Sequence, residues 1–211
     1  MASVTWRAPL LIFLLLPLLA PSAQEVLIYR DVRLRIMLNG DGSATITYEF
    51  TLENRASVPV VPGYGYFNVS SGRIVDARAE VMGKSAEAIH GEKYARYSIW
   101  EVIRPGGSVR VRLEVKVSDF LSRGILFDEF DATLGPFSYP VEGASIDVAP
   151  GEGLHLVYLE RSGSLGSGGL RLRGEVSRIP LPMLPFSWYP VFWGIVILAL
   201  AFLLALGVRR S

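Results

Sequence analysis

Across residues 44–53 every second position is apolar or aromatic, Ala44, Ile46, Tyr48, Phe50 and Leu52, and every position between them is Thr or Glu. Successive side chains of a strand point to opposite faces, so this run fits a strand with one dry and one wet face and fits no helix. Upstream, Val32, Leu34, Ile36 and Leu38 alternate with Arg33 and Arg35, and Asn39-Gly40-Asp41-Gly42-Ser43 joins the two runs with residues that accept positive φ. A β-hairpin is expected there. The period returns in Val75, Ala77, Ala79 and Val81, and again in Val109, Val111, Leu113, Val115 and Val117. The last run is entered through the turn Pro105-Gly106-Gly107-Ser108, with residues 94–103 as its expected partner.

Shorter extended runs fall at 63–69, 144–148 and 154–160, and no segment between the two ends of the chain shows an amphipathic helical period. Strands that are apolar on one face bury it by packing sheet on sheet. The fold class expected for residues 24–176 is therefore all-β, an immunoglobulin-like antiparallel β-sandwich. Residues 162–169, Ser-Gly-Ser-Leu-Gly-Ser-Gly-Gly, form either a mobile hairpin tip or the exit of the domain, and 170–176 return as a final edge strand.

Two apolar segments bracket this domain. Residues 191–208 carry no charge, and at about 1.5 Å per helical residue they reach roughly 27 Å, close to a bilayer core of about 30 Å. Trp188, Tyr189 and Trp193 stand at the first edge of that segment and Arg209 and Arg210 at the other. Aromatic rings favour the headgroup level and arginines the cytoplasmic side, so a single-pass helix in the cell membrane is expected, N-terminus outside, with 209–211 as a cytoplasmic tail. Residues 1–23, with Arg7 ahead of a short apolar run and small residues at Ala20, Ser22 and Ala23, read as a signal peptide. Between domain and span, Pro180, Pro182, Pro185 and Pro190 make 177–190 an extended, apolar, proline-rich stalk, lying on the membrane, on a partner or on its own domain.

The chain holds 21 Lys plus Arg against 20 Asp plus Glu, and setting aside Arg7, Arg209 and Arg210 leaves the domain slightly acidic. No basic field for nucleic acid results. Cysteine is absent, which removes thiolate metal sites and disulfide staples alike. His90 and His155 are the two histidines, and neither has a second histidine at ligand spacing. Nucleophile-elbow, phosphate-loop, zinc-protease and dinucleotide fingerprints are all missing, so no enzyme and no cofactor is expected.

Three local features remain. In Gly63-Tyr64-Gly65-Tyr66-Phe67 glycines flank aromatics, giving either a contact surface built on Tyr64, Tyr66 and Phe67 or a strand that sends Tyr66 or Phe67 into the core. Asn68-Val69-Ser70 is an N-glycosylation sequon. Asp128, Glu129 and Asp131 crowd carboxylates that read either as an acidic turn or as oxygen ligands for a metal such as calcium. The function expected from this layout is a non-enzymatic interaction or scaffold module, an accessory subunit that contacts lipid and exported protein partners. A module binding surface carbohydrate is the alternative.

Overall fold

The computed structural model describes residues 26–165 and 168–210. The segment expected to be a signal peptide lies outside them. Among the described residues, twelve strands and one helix follow in order. The longest strands are β1 (Leu27–Leu38), β2 (Ala44–Asn54) and β8 (Ser108–Ser118), which form one sheet with β4 (Arg73–Val81), β5 (Lys84–Ala86) and β10 (Val141–Pro150) in the order β10-β1-β2-β8-β4-β5. Two three-stranded sheets complete the domain. In one, β7 (Tyr94–Ile99) runs between β3 (Gly63–Asn68) and β6 (Ala88–His90); in the other, β12 (Leu170–Ser177) runs between β11 (His155–Gly163) and β9 (Asp128–Leu134). A bridge from Val69 to Leu134 ties these two together, and the sheets stay open.

Period-two alternation places one continuous core between the large sheet and the small ones. Tyr48 and Phe50 of β2 reach Phe67 of β3 and Tyr97 of β7 at ring separations of 5.8 and 6.3 Å, and Tyr29 of β1 meets Phe50 edge-on at 4.8 Å. Edge-on and tilted rings set each positive rim against a negative face, so these contacts add to the burial energy. The β1–β2 turn forms as expected: Ser43 donates from its amide and hydroxyl to Asp41 Oδ1 at 2.9 and 2.6 Å, and Gly42 takes φ +89°.

Several expectations need correction. The sheets are not purely antiparallel, because β10 pairs with β1 in parallel, Val32 opposite Ala144 and Ile36 opposite Val148. Residues 94–103 are not the partner of the strand at 109–117; β8 pairs with β2 and β4, while β7 belongs to a small sheet. The chain crosses between sheets at Ile103, which bridges to Val60, and the Pro105 turn docks on the end of β2 through Asn54 and Gly107. Val75 faces solvent, since a register shift between Ile74 and Asp76 puts Ile74 inside instead. The acidic segment at 128–131 is a strand, and β12 is a central strand with partners on both sides rather than an edge.

The helix α1 (Trp188–Arg210) begins three residues earlier than the apolar run. Pro190 sits in its first turn, where no intrahelical N–H is lost and the fixed φ suits a helix. From Trp188 to Leu206 it is long and apolar enough to cross a membrane, and none of that stretch is buried inside the protein.

Candidate functional site

On the small sheet β3-β7-β6, alternation sends Phe67 inward, fully buried, and turns Tyr64 and Tyr66 outward, 41% and 44% exposed. Phe67 is therefore core and leaves the expected contact surface. Across the strands Tyr66 pairs with Arg96, and Arg96 with Ile89, so these three lie in one row on the outer face. The Arg96 guanidinium stands 4.6 Å over the Tyr64 ring, whose other neighbour, Trp100, meets it edge-on at 5.2 Å and is 60% exposed. Cation–π contact of this kind holds both side chains in place and contributes about 0.5–1 kcal/mol at an exposed site.

Gly65 explains the local composition. A Cβ at that position would run into the ring of Tyr97, which lies flat against the strand from the inner side. Glycine is required there so that a buried tyrosine can approach the backbone. The outcome is an aromatic face around one cation, suited to stacking and to hydrogen bonding with a carbonyl or carboxylate. Trp100 lies beyond the glycine-aromatic run and follows no period of its own, so only the cross-strand pairing brings it to this face.

The sequon residues are tied into the scaffold. Asn68 ends β3 half-buried, with its backbone carbonyl accepting from Gly135 N at 3.1 Å, and Ser70 Oγ accepts from Thr133 N at 2.7 Å. Of the three acids, Asp131 receives both Arg171 nitrogens, at 2.8 and 2.5 Å, and that hydrogen-bonded guanidinium holds its carboxyl below the usual carboxylate range. Asp128 points to the other face of β9, accepts from Gly124 N at 3.3 Å and lies 3.8 Å from Arg178. Glu129 follows the face of Asp131, its main chain bridged to Ser122. The strand thus separates the acids instead of converging them, and no cluster of three or more His, Cys, Asp or Glu suited to a metal occurs among the described residues. His90 and His155 are both exposed.

The expected stalk is docked on its own domain. Leu184 N donates to Val157 O at 2.9 Å and Leu184 bridges to Tyr158. Glu175, a buried carboxylate on β12, accepts from Ser187 Oγ and from Trp188 N, the latter at 2.8 Å, and Ser187 Oγ accepts from Tyr189 N at 3.2 Å. Ser187 thereby caps α1, with Glu175 fixing the cap to the sheet, and a carboxylate suits the positive end of a helix. Trp188 donates from Nε1 to Pro182 O at 3.0 Å, and its ring and that of Tyr189 pack on Phe127 at 6.4 and 5.4 Å. Trp193 remains 56% exposed on the helix. Arg209 and Arg210 end α1.

No protein-family model matches the chain, and no curated protein matches it. Among solved structures it is similar to an M1 zinc metallopeptidase from Deinococcus radiodurans, at 14% identity over 75% of this chain and 40% of that one, with a TM-score of 0.40. A putative nutrient binding protein from Legionella pneumophila aligns at 12% identity over 75% of this chain and 65% of that one, with a TM-score of 0.41. Native yeast LTA4 hydrolase aligns at 7% identity over 72% and 29%, with a TM-score of 0.38. The chain spans 40% of the Deinococcus peptidase's length, and likenesses this faint carry no weight for its activity.

Proposed function

We propose that this chain is a non-enzymatic interaction module, an immunoglobulin-like β-sandwich exported by a signal peptide at 1–23 and anchored by α1, its domain outside the cell and its C-terminus in the cytoplasm. It serves as an accessory or scaffold subunit of a membrane or surface complex. One observation carries this reading: the outer face of β3-β7-β6 exposes Tyr64, Tyr66 and Trp100 around Arg96 on a domain joined to an apolar helix. Tyrosine, tryptophan and arginine are the residues enriched at binding hot spots.

A second reading, binding of surface carbohydrate, draws on the same rings. The 76° angle between Tyr64 and Trp100 offers an edge and a face in place of one flat platform, which favours a protein partner. The test is mild-detergent extraction of the full chain from its own membranes, with mass spectrometry of what accompanies it, beside the double variant Tyr64→Ala/Trp100→Ala. Stoichiometric exported or membrane partners are expected with the natural chain. The variant is expected to bind them at least about thirtyfold more weakly, the effect of losing a hot spot of about 2 kcal/mol. A lone chain, or partners that the variant keeps, would overturn the reading; a tryptophan fluorescence change on adding glycans would support the second one.

A further inference from the structure

Where the domain meets α1, the loop 123–127 lies against the first turn of the helix. Phe127 packs on Trp188 and Tyr189, and the Tyr189 hydroxyl closes on Gly124 so tightly that a Cβ there would stand 2.6 Å from it. Loop and helix start therefore share one level along the helix axis. Tryptophan and tyrosine at the end of a membrane helix mark the headgroup level. At that level the loop holds out Ile125, 98% exposed, the most exposed large apolar side chain of the domain, with Leu126 beside it.

Beside this loop a groove of about 230 Å³ runs between loop, linker and helix, walled by Leu126, Ile179 and Leu181 and continuing along Phe192 and Ile195 of α1. Its walls are carbon almost throughout, and its lower end is the surface of the helix itself. An adjoining recess shares Leu126 and Ile179 and is rimmed by Arg123 and Arg178. Arg178 is only loosely met by Asp128, at 3.8 Å, and Arg123 is exposed with no ion pair among the described residues. The recess thus carries two guanidinium groups against one carboxylate.

We infer that this junction is a lipid site: an outer-leaflet phospholipid lays an acyl chain in the groove along Phe192 and Ile195 while its phosphate sits between Arg123 and Arg178. The occupant follows from continuity, since the groove opens onto the membrane-facing surface of α1, and from charge, since a guanidinium fork matches phosphate. Ile125 and Leu126 wedge in beside it, reaching past the headgroups to the top of the acyl chains. The inference rests on α1 spanning the membrane.

The absence of cysteine makes the test simple, because one introduced thiol is unique. The full chain carrying Ile125→Cys, labelled with an environment-sensitive fluorophore, is placed in phosphatidylcholine–phosphatidylglycerol vesicles in which part of the lipid bears brominated acyl chains. A second preparation carries the label at Leu198→Cys, far down α1. Quenching of both labels by brominated lipid and of neither by aqueous iodide is the expected result. If position 198 is quenched by lipid and position 125 by iodide, the lipid site is overturned and the anchor stands. If neither meets lipid, the anchor itself is wrong and the site falls with it. Adding Arg123→Glu/Arg178→Glu to the 125 label is expected to weaken lipid quenching about fivefold per reversed charge, from the ~1 kcal/mol each basic residue contributes near an anionic leaflet. Unchanged quenching would overturn the phosphate position. Both arginines are exposed, and an unchanged melting temperature of the double variant verifies that the domain stays folded.

Discussion

The hydroxyl of Tyr48 is buried in the core without a hydrogen-bond partner among the described residues. Leaving such a group unpaired costs about 1–3 kcal/mol, so Tyr48→Phe is expected to keep or raise stability by about 1 kcal/mol. Thermal or denaturant unfolding of the detergent-held chain reads this, and a loss of more than about 1 kcal/mol would mean that the hydroxyl has an unseen role. Burial also pushes the Tyr29, Tyr48 and Tyr97 phenols above their ordinary range, since a phenolate there would be desolvated. Below pH about 10 folded and unfolded chains hold these protons alike; above it the unfolded chain releases them and the folded one does not. Stability should then fall by about 1.4 kcal/mol per pH unit for each tyrosine, about 4 for the three together. Alkaline unfolding curves give the slope, and Tyr48→Phe should remove about a third of it. That the three tyrosines lie inward was legible only in part. Tyr48 sits squarely in the alternation, but Tyr97 gave no such sign, and its place shows only in Gly65, the glycine that makes room for it.

Strands were readable wherever alternation ran unbroken, as in β2 and β8, because period two reports which face is dry. It does not report which strand lies alongside. β8 could not be assigned to β2 and β4 from its own residues, and the parallel pairing of β10 with β1 leaves no local mark. In β9 the acids Asp128, Glu129 and Asp131 mask the short apolar alternation of Phe130, Ala132 and Leu134, all of them buried. Two polar side chains at the ends of elements now carry tests. Asn54, fully buried at the end of β2, donates to Val58 O and Ile103 O, both at 2.8 Å, and accepts from Ala56 N at 2.8 Å. Asn54→Ala takes the partner from Val58 O and Ala56 N, while Ile103 O keeps its bond from Val60 N, and should lower unfolding free energy by about 2–3 kcal/mol, measured by denaturant titration. Glu175→Ala removes the clamp on the α1 cap, a charge-assisted pair of bonds each contributing about 1.5–3 kcal/mol. Tryptic cleavage after Arg178 should then quicken by about tenfold or more while the melting of the sheets changes less; equal cleavage in both proteins would show that the linker is held by other contacts.

At the scale of the whole molecule, the slight acidity of the domain and the apolar helix were plain from composition, whereas the aromatic face was not. Tyr64 and Tyr66 stood out by their glycine neighbours, but Arg96, Ile89 and Trp100 join them only through cross-strand pairing. Their exposure predicts a separation of effects. Tyr64→Ala/Trp100→Ala should lower the unfolding free energy by no more than about 1–2 kcal/mol, the worth of the lost cation–π and ring contacts, while weakening capture of the proposed partner at least about thirtyfold. A large drop in melting temperature would instead assign the rings to holding the small sheet.

The junction at Glu175 and Ser187 also makes domain and helix one lever. A helix longer or shorter than its bilayer adjusts by tilting. With the first turn of α1 clamped to β12 and to Phe127, the domain has to follow, and the aromatic face swings through an arc set by its distance from the clamp. Where α1 spans a bilayer as proposed, membrane thickness thereby becomes a steering input to the aromatic face. Polarised infrared dichroism across lipids of graded acyl length would show strands and helix reorienting together; helix tilt with fixed strands would mean that the clamp slips.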